Sequence, residues 1–463
     1  MSVAPTPPMG WRDWNQFQGA ITQDLMEAQM IAQAARSRKV WGIAAATSSL
    51  ADAGYVRNGL DDAWQACHAG ANNSFHDASG LPLVNLSRFP DMKAMTAKAR
   101  ALHLSPGFYV NNCICGEGRL PRAQSERDVA GNVAFITSLG FDAVKADGCG
   151  AASNMTRLAQ LLAETGRDVL IENCHYNKLG PGEPRPKGVA PDPGRNRIWP
   201  YWRNNITGGE LVCPEHTFRA SGDIRNSWNS WFSNLHTLAK YADVAHPISQ
   251  PDCWANADML MIGVMETAYC PKCGPAASVA EWRSHFGAWC IASSPLMLSF
   301  DMTNATTMDA VWPFVTNVEA IAVNQAWAGH PGLMVNATRC ANATASGGGG
   351  GGGSGGVDVE IWVKPMLAAK KNGKKQGKRL ALFVVSQERP GPGWRDSPSS
   401  AVAVDIDVDI DVAALAAALA LPVPGATALR DVWAHADVAG GVIGGVVKVR
   451  NLAPHDSAFY IIG

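Results

Sequence analysis

The sequence has little of several features that mark particular classes of protein. Only 17% of its 463 residues are charged, and 39 basic residues against 40 acidic ones leave a net charge of −1. Without an excess of basic residues, neither nucleic acid nor a membrane surface is expected as a partner. No apolar run reaches the ~18 residues of a membrane-spanning helix. No Gly-x-Gly-x-x-Gly motif follows an early predicted strand, so no nucleotide cofactor is expected.

The sequence does contain enough apolar residues for a large core, together with many indoles. Apolar residues make up 47% of the chain, which excludes wholesale disorder. The 16 Trp outnumber the 13 Phe and the 7 Tyr. Most of these rings are expected in the core, but indole faces also stack well on the CH surfaces of sugars.

N-glycosylation acceptor sites and the number of cysteines indicate the secretory pathway, although no signal peptide is visible at the N-terminus. Eleven Cys are scattered along the chain rather than grouped in metal-binding pairs, which favours an oxidising compartment. Seven Asn-x-Ser/Thr acceptors occur, at Asn72, Asn85, Asn154, Asn205, Asn304, Asn336 and Asn342. We therefore expect a secreted, vacuolar or lysosomal protein whose leader is not visible in this sequence.

The order of predicted elements up to residue 330 is typical of a (β/α)₈ barrel. Repeated strand–helix pairs indicate parallel βα units, and a barrel of about 250 residues or more fits this length. A doubly wound sheet is the structural rival. The predicted strands include Tyr55–Leu60, Ser105–Val110, Phe141–Lys145 and Val169–Glu172, and the helices between them include Met92–Leu102, Glu126–Leu139 and Met155–Glu164.

Residues 331–463 have a different pattern, which predicts a C-terminal antiparallel β-sandwich. Ala401–Asp411 alternates apolar and polar residues with a period of two, as a half-buried strand does. A run of seven glycines begins at Gly347, and the Gly-rich stretch 347–356 is predicted to be a flexible loop within this domain.

Polar residues end several of the apolar runs in the predicted barrel. Catalytic groups of such barrels lie at the C-terminal ends of strands. One such residue alone is more often a helix N-cap or a turn former, but four such endings in one half of the barrel favour an active site. They are Asp61-Asp62, Tyr109, Lys145-Ala-Asp147 and Arg219-Ala-Ser-Gly-Asp223.

Motifs spread over almost the whole chain resemble glycoside hydrolase family 27, the α-galactosidases and α-N-acetylgalactosaminidases. The resemblance implies a retaining exo-α-galactosidase that removes terminal α-linked galactose from oligosaccharides or glycoconjugates, without a cofactor or a metal. The motifs are Pro7–Phe17, Gly54–Trp64, Val144–Cys149, Arg219–Ile224, Asp258-Met-Leu, Glu319–Gln325 and Leu429–Trp433.

The resemblance also implies a role for each pocket residue. Asp147 would be the nucleophile and Asp223 the general acid/base, with their carboxyl groups about 5 to 5.5 Å apart. Lys145, two residues earlier on the same strand face, would favour the ionised form of Asp147. Asp61 and Asp62 would contact the galactose hydroxyls O4 and O6, and Arg219 would contact O2 and O3. Trp11 and Trp14 would form an apolar wall of the sugar pocket. Tyr109 and Lys145 would contact ring hydroxyls and the nucleophile, and Asp258 would lie beside the acid/base.

Two departures from the family pattern leave the exact specificity open. His175 stands where relatives have Glu or Ser facing the 2-substituent, and Cys253–Asp258 has one carboxylate fewer. β-L-Arabinopyranosidase and α-N-acetylgalactosaminidase are the alternatives within the family, although an intact Asp61 favours galactose. A non-catalytic carbohydrate-binding protein is the alternative outside it, and the presence of both Asp147 and Asp223 argues against that. The sequence does not predict an oligomeric state.

The cysteine pairings can be predicted only in part. The family pattern implies that Cys149 pairs with Cys113 or Cys115, and that Cys174 pairs with Cys213. The motif Cys270-Pro-Lys-Cys273 is expected to form a local disulfide or two free thiols rather than half of a zinc site. An odd total leaves at least one thiol unpaired, with Cys290 as the candidate.

Overall fold

In a computed structural model of the chain, eight strands form one parallel sheet. They are β1 (Met9–Arg12), β2 (Arg57–Gly59), β3 (Ser105–Val110), β4 (Ala143–Asp147), β5 (Leu170–Cys174), β6 (Thr217–Arg219), β7 (Trp254–Asn256) and β8 (Leu296–Leu298). Their hydrogen-bonded order is β7-β6-β5-β4-β3-β2-β1-β8. The N–H of Leu260, after β7, donates to the carbonyl of Met297 in β8 over 2.8 Å, which brings the two ends of this order together. The predicted barrel is confirmed.

The structure describes most of the chain, with gaps. The described residues are 2–120, 122–147, 155–174, 213–244, 247–271, 273, 277–335, 341–345, 359–366, 370–371, 374–375, 379–387, 405–421 and 428–463. The sequence features that lie outside these residues include Cys149, His175, the Gly-rich loop 347–356 and the acceptors Asn154, Asn205 and Asn336.

Helices alternate with the strands, and side-chain caps begin several of them. Thr22 accepts from the N–H of Leu25, and Asp91 accepts from the N–H of Ala94. The helices are α1 (Trp14–Phe17), α2 (Gln23–Ala34), α3 (Met92–Ala101), α4 (Arg122–Leu139), α5 (Met155–Glu164), α6 (Trp228–Leu238), α7 (Val279–Ile291), α8 (Ala305–Val315), α9 (Val318–Gln325) and α10 (Val412–Ala418). None of the described helices combines the length and hydropathy that crossing a bilayer requires.

The chain divides into two compact units. The first comprises Met1–Leu238, Ile248–Ala276 and Pro295–Trp312, and the second comprises Ala239–Pro247, Ala277–Ser294 and Pro313–Gly463. Because neither unit is continuous in sequence, the boundary predicted at residue 330 stays a prediction. All eight strands of the parallel sheet belong to the first unit.

The second unit contains the predicted antiparallel sandwich. One sheet has six strands in the order β17-β16-β19-β14-β11-β9, and the other has three in the order β10-β15-β18. Buried residues of both sheets share one apolar core, for example Leu382 of the first and Val408 of the second. The strands are β9 (Leu333–Val335), β10 (Ala341–Ala345), β11 (Val359–Met366), β14 (Arg379–Ser386), β15 (Ile406–Asp411), β16 (Leu429–Asp431), β17 (Ala436–Asp437), β18 (Val446–Leu452) and β19 (Ser457–Ile462), with β12 (Lys370–Lys371) and β13 (Lys374–Lys375) as a separate hairpin.

A buried lysine closes the C-terminal end of α9 within the second unit. The ammonium group of Lys364, on β11, donates to the carbonyls of Val323 and Asn324 and to the hydroxyl of Ser293. The last carbonyls of a helix lack their usual partners within it, so Lys364 provides a donor to the carbonyl of Asn324 and a second donor to that of Val323. Complete burial lowers the pKa of Lys364 to about 7.

We expect Lys364 to make stability depend on pH. Its pKa falls from the usual ~10.4 to about 7 on folding, so between these values the unfolded chain binds more protons and stability rises with pH. The free energy of unfolding of the wild type, relative to Lys364→Met, should therefore increase by ~2 kcal/mol from pH 7 to pH 9. Urea unfolding at both pH values measures this difference.

The exposed Lys448 of β18 offers a matched control. Lys448→Met should leave the pH dependence of unfolding unchanged, because an exposed ammonium group is solvated in both states. A Lys364→Met difference that is constant over this pH range would show that the three acceptors keep the ammonium group charged in the folded protein.

Candidate active site

Asp147 ends β4 at the carboxyl edge of the parallel sheet and is held by the neighbouring strand. The hydroxyl of Tyr109, on β3, donates to Asp147 Oδ2 over 2.7 Å. The side-chain amide of Asn111 in turn donates to that hydroxyl over 3.1 Å. Burial, with the charge of Asp147 adding to it, raises the pKa of Tyr109. The phenol therefore stays protonated and continues to donate to the carboxylate.

Lys145 and Arg12 share the carboxylate of Asp61 in the interior of the sheet. Lys145 Nζ lies 2.7 Å from Asp61 Oδ2, and Arg12 Nη1 lies 3.8 Å from the same atom. Arg12 also pairs with Glu172 on β5 over 2.7 Å. Burial alone would lower the pKa of Lys145, but Asp61 more than offsets this and raises it. Lys145 also interacts with the charge of Asp147 and lies 5.4 Å above the Tyr109 ring.

The two adjacent carboxylates after β2 differ in their surroundings. Asp61 is buried and accepts from the N–H of Asp62, whereas Asp62 is half-buried and accepts from the N–H of Ala63. Ala63 has a φ of 74°, which turns the chain sharply at this point. Burial raises the pKa of Asp62, and the charges of Asp61 and Asp147 act in the same direction. Asp62 is therefore the more accessible member of the pair.

Arg219, at the end of β6, joins two other carboxylates. Its Nη2 atom lies 3.0 Å from Asp223 Oδ1, and it also pairs closely with Asp258 Oδ2. The same Asp258 oxygen accepts from the N–H of Ile224 over 2.8 Å. Burial raises the pKa of Asp258, and Arg219 opposes that rise. The Asp223 side chain is 83% exposed, so it lies beside a buried cation yet remains open to solvent.

A cleft brings several of these groups together within the first unit. It is lined by Arg12, Lys145, Glu172, Asn173, Cys174, Arg219, Asn256, Asp258, Met259 and Met297. Seven of these lining residues carry charged or amide groups that can contact sugar hydroxyls. The arrangement provides hydrogen-bond donors and acceptors around a polar ligand, with Asp147 and Asp223 at strand ends of the same sheet.

The two Trp residues predicted to form an apolar wall of the sugar pocket differ in their burial. Trp14 is half-buried and lies directly after β1, where it remains a candidate contact. Trp11 is completely buried, and its indole N–H donates to the carbonyl of Phe300 over 2.8 Å. The Trp11 ring is therefore part of the core and is not available to a sugar. His175 lies outside the described residues.

The predicted pairing of Cys174 with Cys213 is wrong, and of the two candidate partners for Cys149 the structure excludes Cys115. Cys115 pairs with Cys67, and Cys213 pairs with Cys253. Cys174 is a free thiol because it lies at the end of β5 in the interior of the sheet, 3.3 Å from the Arg219 guanidinium. Burial raises its pKa to about 12, so it stays neutral.

The other cysteines agree better with the sequence. Cys270 and Cys273 form the local disulfide, and Cys290 is a buried free thiol, as predicted. Cys113 is disulfide-bonded, and Cys149, with which it was expected to pair, lies outside the described residues.

Sequence reasoning missed two charged residues that line the cleft, Arg12 and Glu172. Arg12 belongs to the motif Pro7–Phe17 and Glu172 ends the predicted strand Val169–Glu172, but neither is assigned a role from the sequence. A signal was present, because a charged residue within a short buried strand requires a partner. Arg12 ends β1, and Glu172 lies two residues before Cys174 on the same face of β5.

Comparisons with known proteins agree with this geometry. A family model described as "Alpha galactosidase A" matches residues 196–326. The chain is 24% identical over 372 residues to the α-galactosidase of Cyamopsis tetragonoloba, which covers 79% of this chain and 71% of that protein. It is 26% identical over 331 residues to the α-N-acetylgalactosaminidase of Mus musculus, covering 69% of this chain and 68% of that protein.

A solved structure supports the fold. The family 27 β-L-arabinopyranosidase of Geobacillus stearothermophilus has a TM-score of 0.67 at 16% identity, covering 100% of this chain and 97% of that one. A parallel barrel with carboxylates in different surroundings at its strand ends is an arrangement that suits glycoside hydrolysis. The chain is similar in sequence to α-galactosidases and α-N-acetylgalactosaminidases, and similar in fold to an enzyme of glycoside hydrolase family 27.

The contact between Tyr109 and Asp147 generates a prediction about activity. Tyr109→Phe removes a hydrogen bond to a charged group, which is worth about 1.5 to 3 kcal/mol. We expect kcat/KM on an aryl glycoside to fall roughly 10- to 100-fold. The acidic limb of the pH profile should move to higher pH, because the ionised form of Asp147 loses a donor.

Tyr269→Phe is the matched control, since Tyr269 is 44% exposed. It should leave both kcat/KM and the pH profile unchanged. An unaltered acidic limb in Tyr109→Phe would mean that this hydroxyl does not act on the group that titrates there.

Proposed function

We propose that the protein is a retaining exo-α-galactosidase that hydrolyses terminal α-linked galactose from oligosaccharides or glycoconjugates. One observation carries the proposal, namely the different surroundings of the two strand-end carboxylates. Asp147 accepts a hydrogen bond from a buried phenol, whereas Asp223 is exposed beside Arg219. A retaining glycosidase needs one carboxylate that stays ionised and one that can exchange a proton with solvent.

In the proposed first step, Asp147 attacks the anomeric carbon and forms a covalent glycosyl–enzyme intermediate. Asp223 gives its proton to the departing glycosidic oxygen, and the aglycone leaves. The hydrogen bond from Tyr109 keeps the carboxylate of Asp147 oriented for attack. In the second step, Asp223 takes a proton from a water molecule that attacks the same carbon and releases the sugar. Two inversions at one carbon leave the α configuration.

Recognition of galactose is proposed to rest on the carboxylates after β2 and on the cations around them. Asp62 is the more accessible of the pair and would accept from O4 or O6. Lys145 and Arg12 hold Asp61 in place behind it. Arg219 would address O2 and O3 from the other side, and Trp14 would cover an apolar face of the ring. An axial O4 directed at a carboxylate would distinguish galactose from glucose.

We also propose that the protein is a secreted or lysosomal-type glycoprotein. Three disulfides join described cysteines, and such bonds persist in oxidising compartments. Among the predicted acceptors, Asn72 and Asn304 are exposed, as glycan attachment requires.

A panel of p-nitrophenyl glycosides tests the specificity. We expect the highest kcat/KM on the α-galactoside, with the α-N-acetylgalactosaminide and the β-L-arabinopyranoside at least ~10-fold lower. A preference for either of the other two would assign the activity named for the Mus musculus or the Geobacillus stearothermophilus relative. Binding of galactose without turnover of any glycoside would favour a carbohydrate-binding protein.

Substitution of the two carboxylates tests the mechanism. Asp147→Asn should lower kcat by several orders of magnitude on every substrate, because the nucleophile is lost. Asp223→Asn should lower kcat much less on a p-nitrophenyl glycoside than on an oligosaccharide, since p-nitrophenolate leaves without protonation. Initial-rate kinetics on both substrate types measure this split.

Proton NMR during the first minutes of hydrolysis provides an independent measurement. The wild type should release the α-anomer before mutarotation. Release of the β-anomer would mean that Asp147 acts as a general base, and near-normal turnover by Asp147→Asn would exclude it from the reaction altogether.

A further inference from the structure

A second buried cluster of polar side chains lies within the first unit and takes no part in the reaction proposed above. It consists of His76, Glu117 and Asp128, whose side chains are all 0 to 1% exposed. None of the three lines the cleft. One ring nitrogen of His76 and one carboxylate oxygen from each acid lie within 4.8 Å of one another.

The fold brings these side chains together from three separate segments. His76 lies between β2 and α3, Glu117 begins a short 3₁₀ turn after β3, and Asp128 lies on α4. Gly131 of α4 allows the first segment to approach, because a Cβ there would lie 1.7 Å from the carbonyl oxygen of Gly80. The Cys67–Cys115 disulfide joins the first two segments. The positions of the three side chains are therefore fixed by the fold.

The charges within the cluster do not balance. Two buried carboxylates face one imidazole, so the cluster is negative even when His76 is protonated. Neither carboxylate oxygen of Asp128 has a hydrogen-bond partner among the residues that the structure describes. A buried carboxylate without a partner is costly, and a cation beside it would remove that cost.

The surrounding amides orient the histidine and one acid. His76 Nε2 lies 3.0 Å from Asn132 Oδ1, an atom that can only accept, so Nε2 carries the hydrogen. Nδ1 faces the carboxylates of Glu117 and Asp128 and donates to Glu117, so a cation that binds at Nδ1 would replace that hydrogen. Asn112 donates to the other oxygen of Glu117 over 3.2 Å. Histidine and carboxylate ligands of metal ions are commonly held by such outer hydrogen bonds.

We propose that His76 Nδ1, Glu117 and Asp128 bind one divalent transition-metal cation, with Zn²⁺ preferred. A set of one imidazole and two carboxylates suits Zn²⁺ or Mn²⁺, whereas Ca²⁺ and Mg²⁺ favour oxygen ligands alone. Ligand atoms at about 2.1 Å from zinc lie at most ~4.2 Å apart. His76 Nδ1 and Asp128 Oδ2 are 3.9 Å apart, within that limit. The close contact between Nδ1 and Glu117 opens to admit the ion.

The cation ties together segments that border the active site. Asn112, which holds Glu117, follows Asn111, which donates to the Tyr109 hydroxyl. Tyr109 in turn contacts Asp147. The metal takes no part in hydrolysis and stabilises the folded arrangement of these segments. This inference does not depend on which sugar the enzyme accepts.

The test uses the full chain after dialysis against a chelator. Titration calorimetry with ZnCl₂ should show one ion bound per chain, and saturating Zn²⁺ should raise Tm by at least ~2 °C. Mn²⁺ should bind more weakly than Zn²⁺, and Ca²⁺ should leave Tm unchanged. Absence of stoichiometric Zn²⁺ binding by the wild type would overturn the proposal.

Two isosteric variants assign the binding to this cluster. Asp128→Asn and Glu117→Gln should each weaken Zn²⁺ binding at least ~100-fold and abolish the rise in Tm. Without metal, Asp128→Asn should melt at or above the temperature of the wild type, because it removes a buried charge that lacks a partner. This variant therefore folds and reports on binding alone.

The pair formed by His455 and Glu281 provides the control, since it joins an imidazole and a carboxylate at 2.9 Å elsewhere in the chain. Glu281→Gln should bind Zn²⁺ as tightly as the wild type. Zn²⁺ binding that persists in both Asp128→Asn and Glu117→Gln would place the ion elsewhere and overturn the proposal.

Discussion

The buried guanidinium of Arg12 is the constraint on which the interior of the barrel depends. It donates to the carbonyl of Leu60 and to Glu172, and it lies 3.8 Å from Asp61. A buried cation is tolerated only with ionised partners in good geometry, so both carboxylates are fixed in place. Gly59 leaves the room that this requires, because a Cβ there would lie 2.9 Å from Arg12 Cζ. One side chain thereby connects β1, β2 and β5.

These contacts also give the acidic groups around the cleft different partners and different exposure. Asp61 is committed to Lys145 and Arg12, and Asp258 is committed to Arg219 and to a backbone N–H. Asp147 is bonded to a neutral phenol instead, and Asp223 is exposed. Carboxylates of one chemical type can take different roles because their surroundings differ. The committed pairs keep the cleft organised before any substrate enters.

The sequence predicted the fold well because the strand–helix alternation and the period-two pattern are local signals. It also predicted that Asp61, Lys145 and Arg219 share one site, since carboxyl ends of parallel strands meet at one edge. In the structure Lys145 and Arg219 line the cleft and Asp61 pairs with Lys145, but the role of these residues stays a prediction. It failed for Trp11 and for Cys174, whose surroundings depend on contacts with distant parts of the chain. Trp11 donates to Phe300, and Cys174 contacts Arg219. The spacing of residues along one strand does not show which side chains are buried by distant parts of the chain.

The buried charged groups of this protein differ in their hydrogen-bond partners. A comparison of Arg12, Lys364 and Asp128 shows how the cluster of His76, Glu117 and Asp128 differs from the others. Arg12 has two carboxylates as partners, and Lys364 has two helix carbonyls and a hydroxyl. Each donor therefore has acceptors close by. Asp128 is as deeply buried as either cation, yet both of its oxygens lack a donor within the described part of the chain. Because Asp128 lacks a donor on both oxygens among the described residues and lies beside a second carboxylate and an oriented imidazole, a cation is the partner that we propose for it.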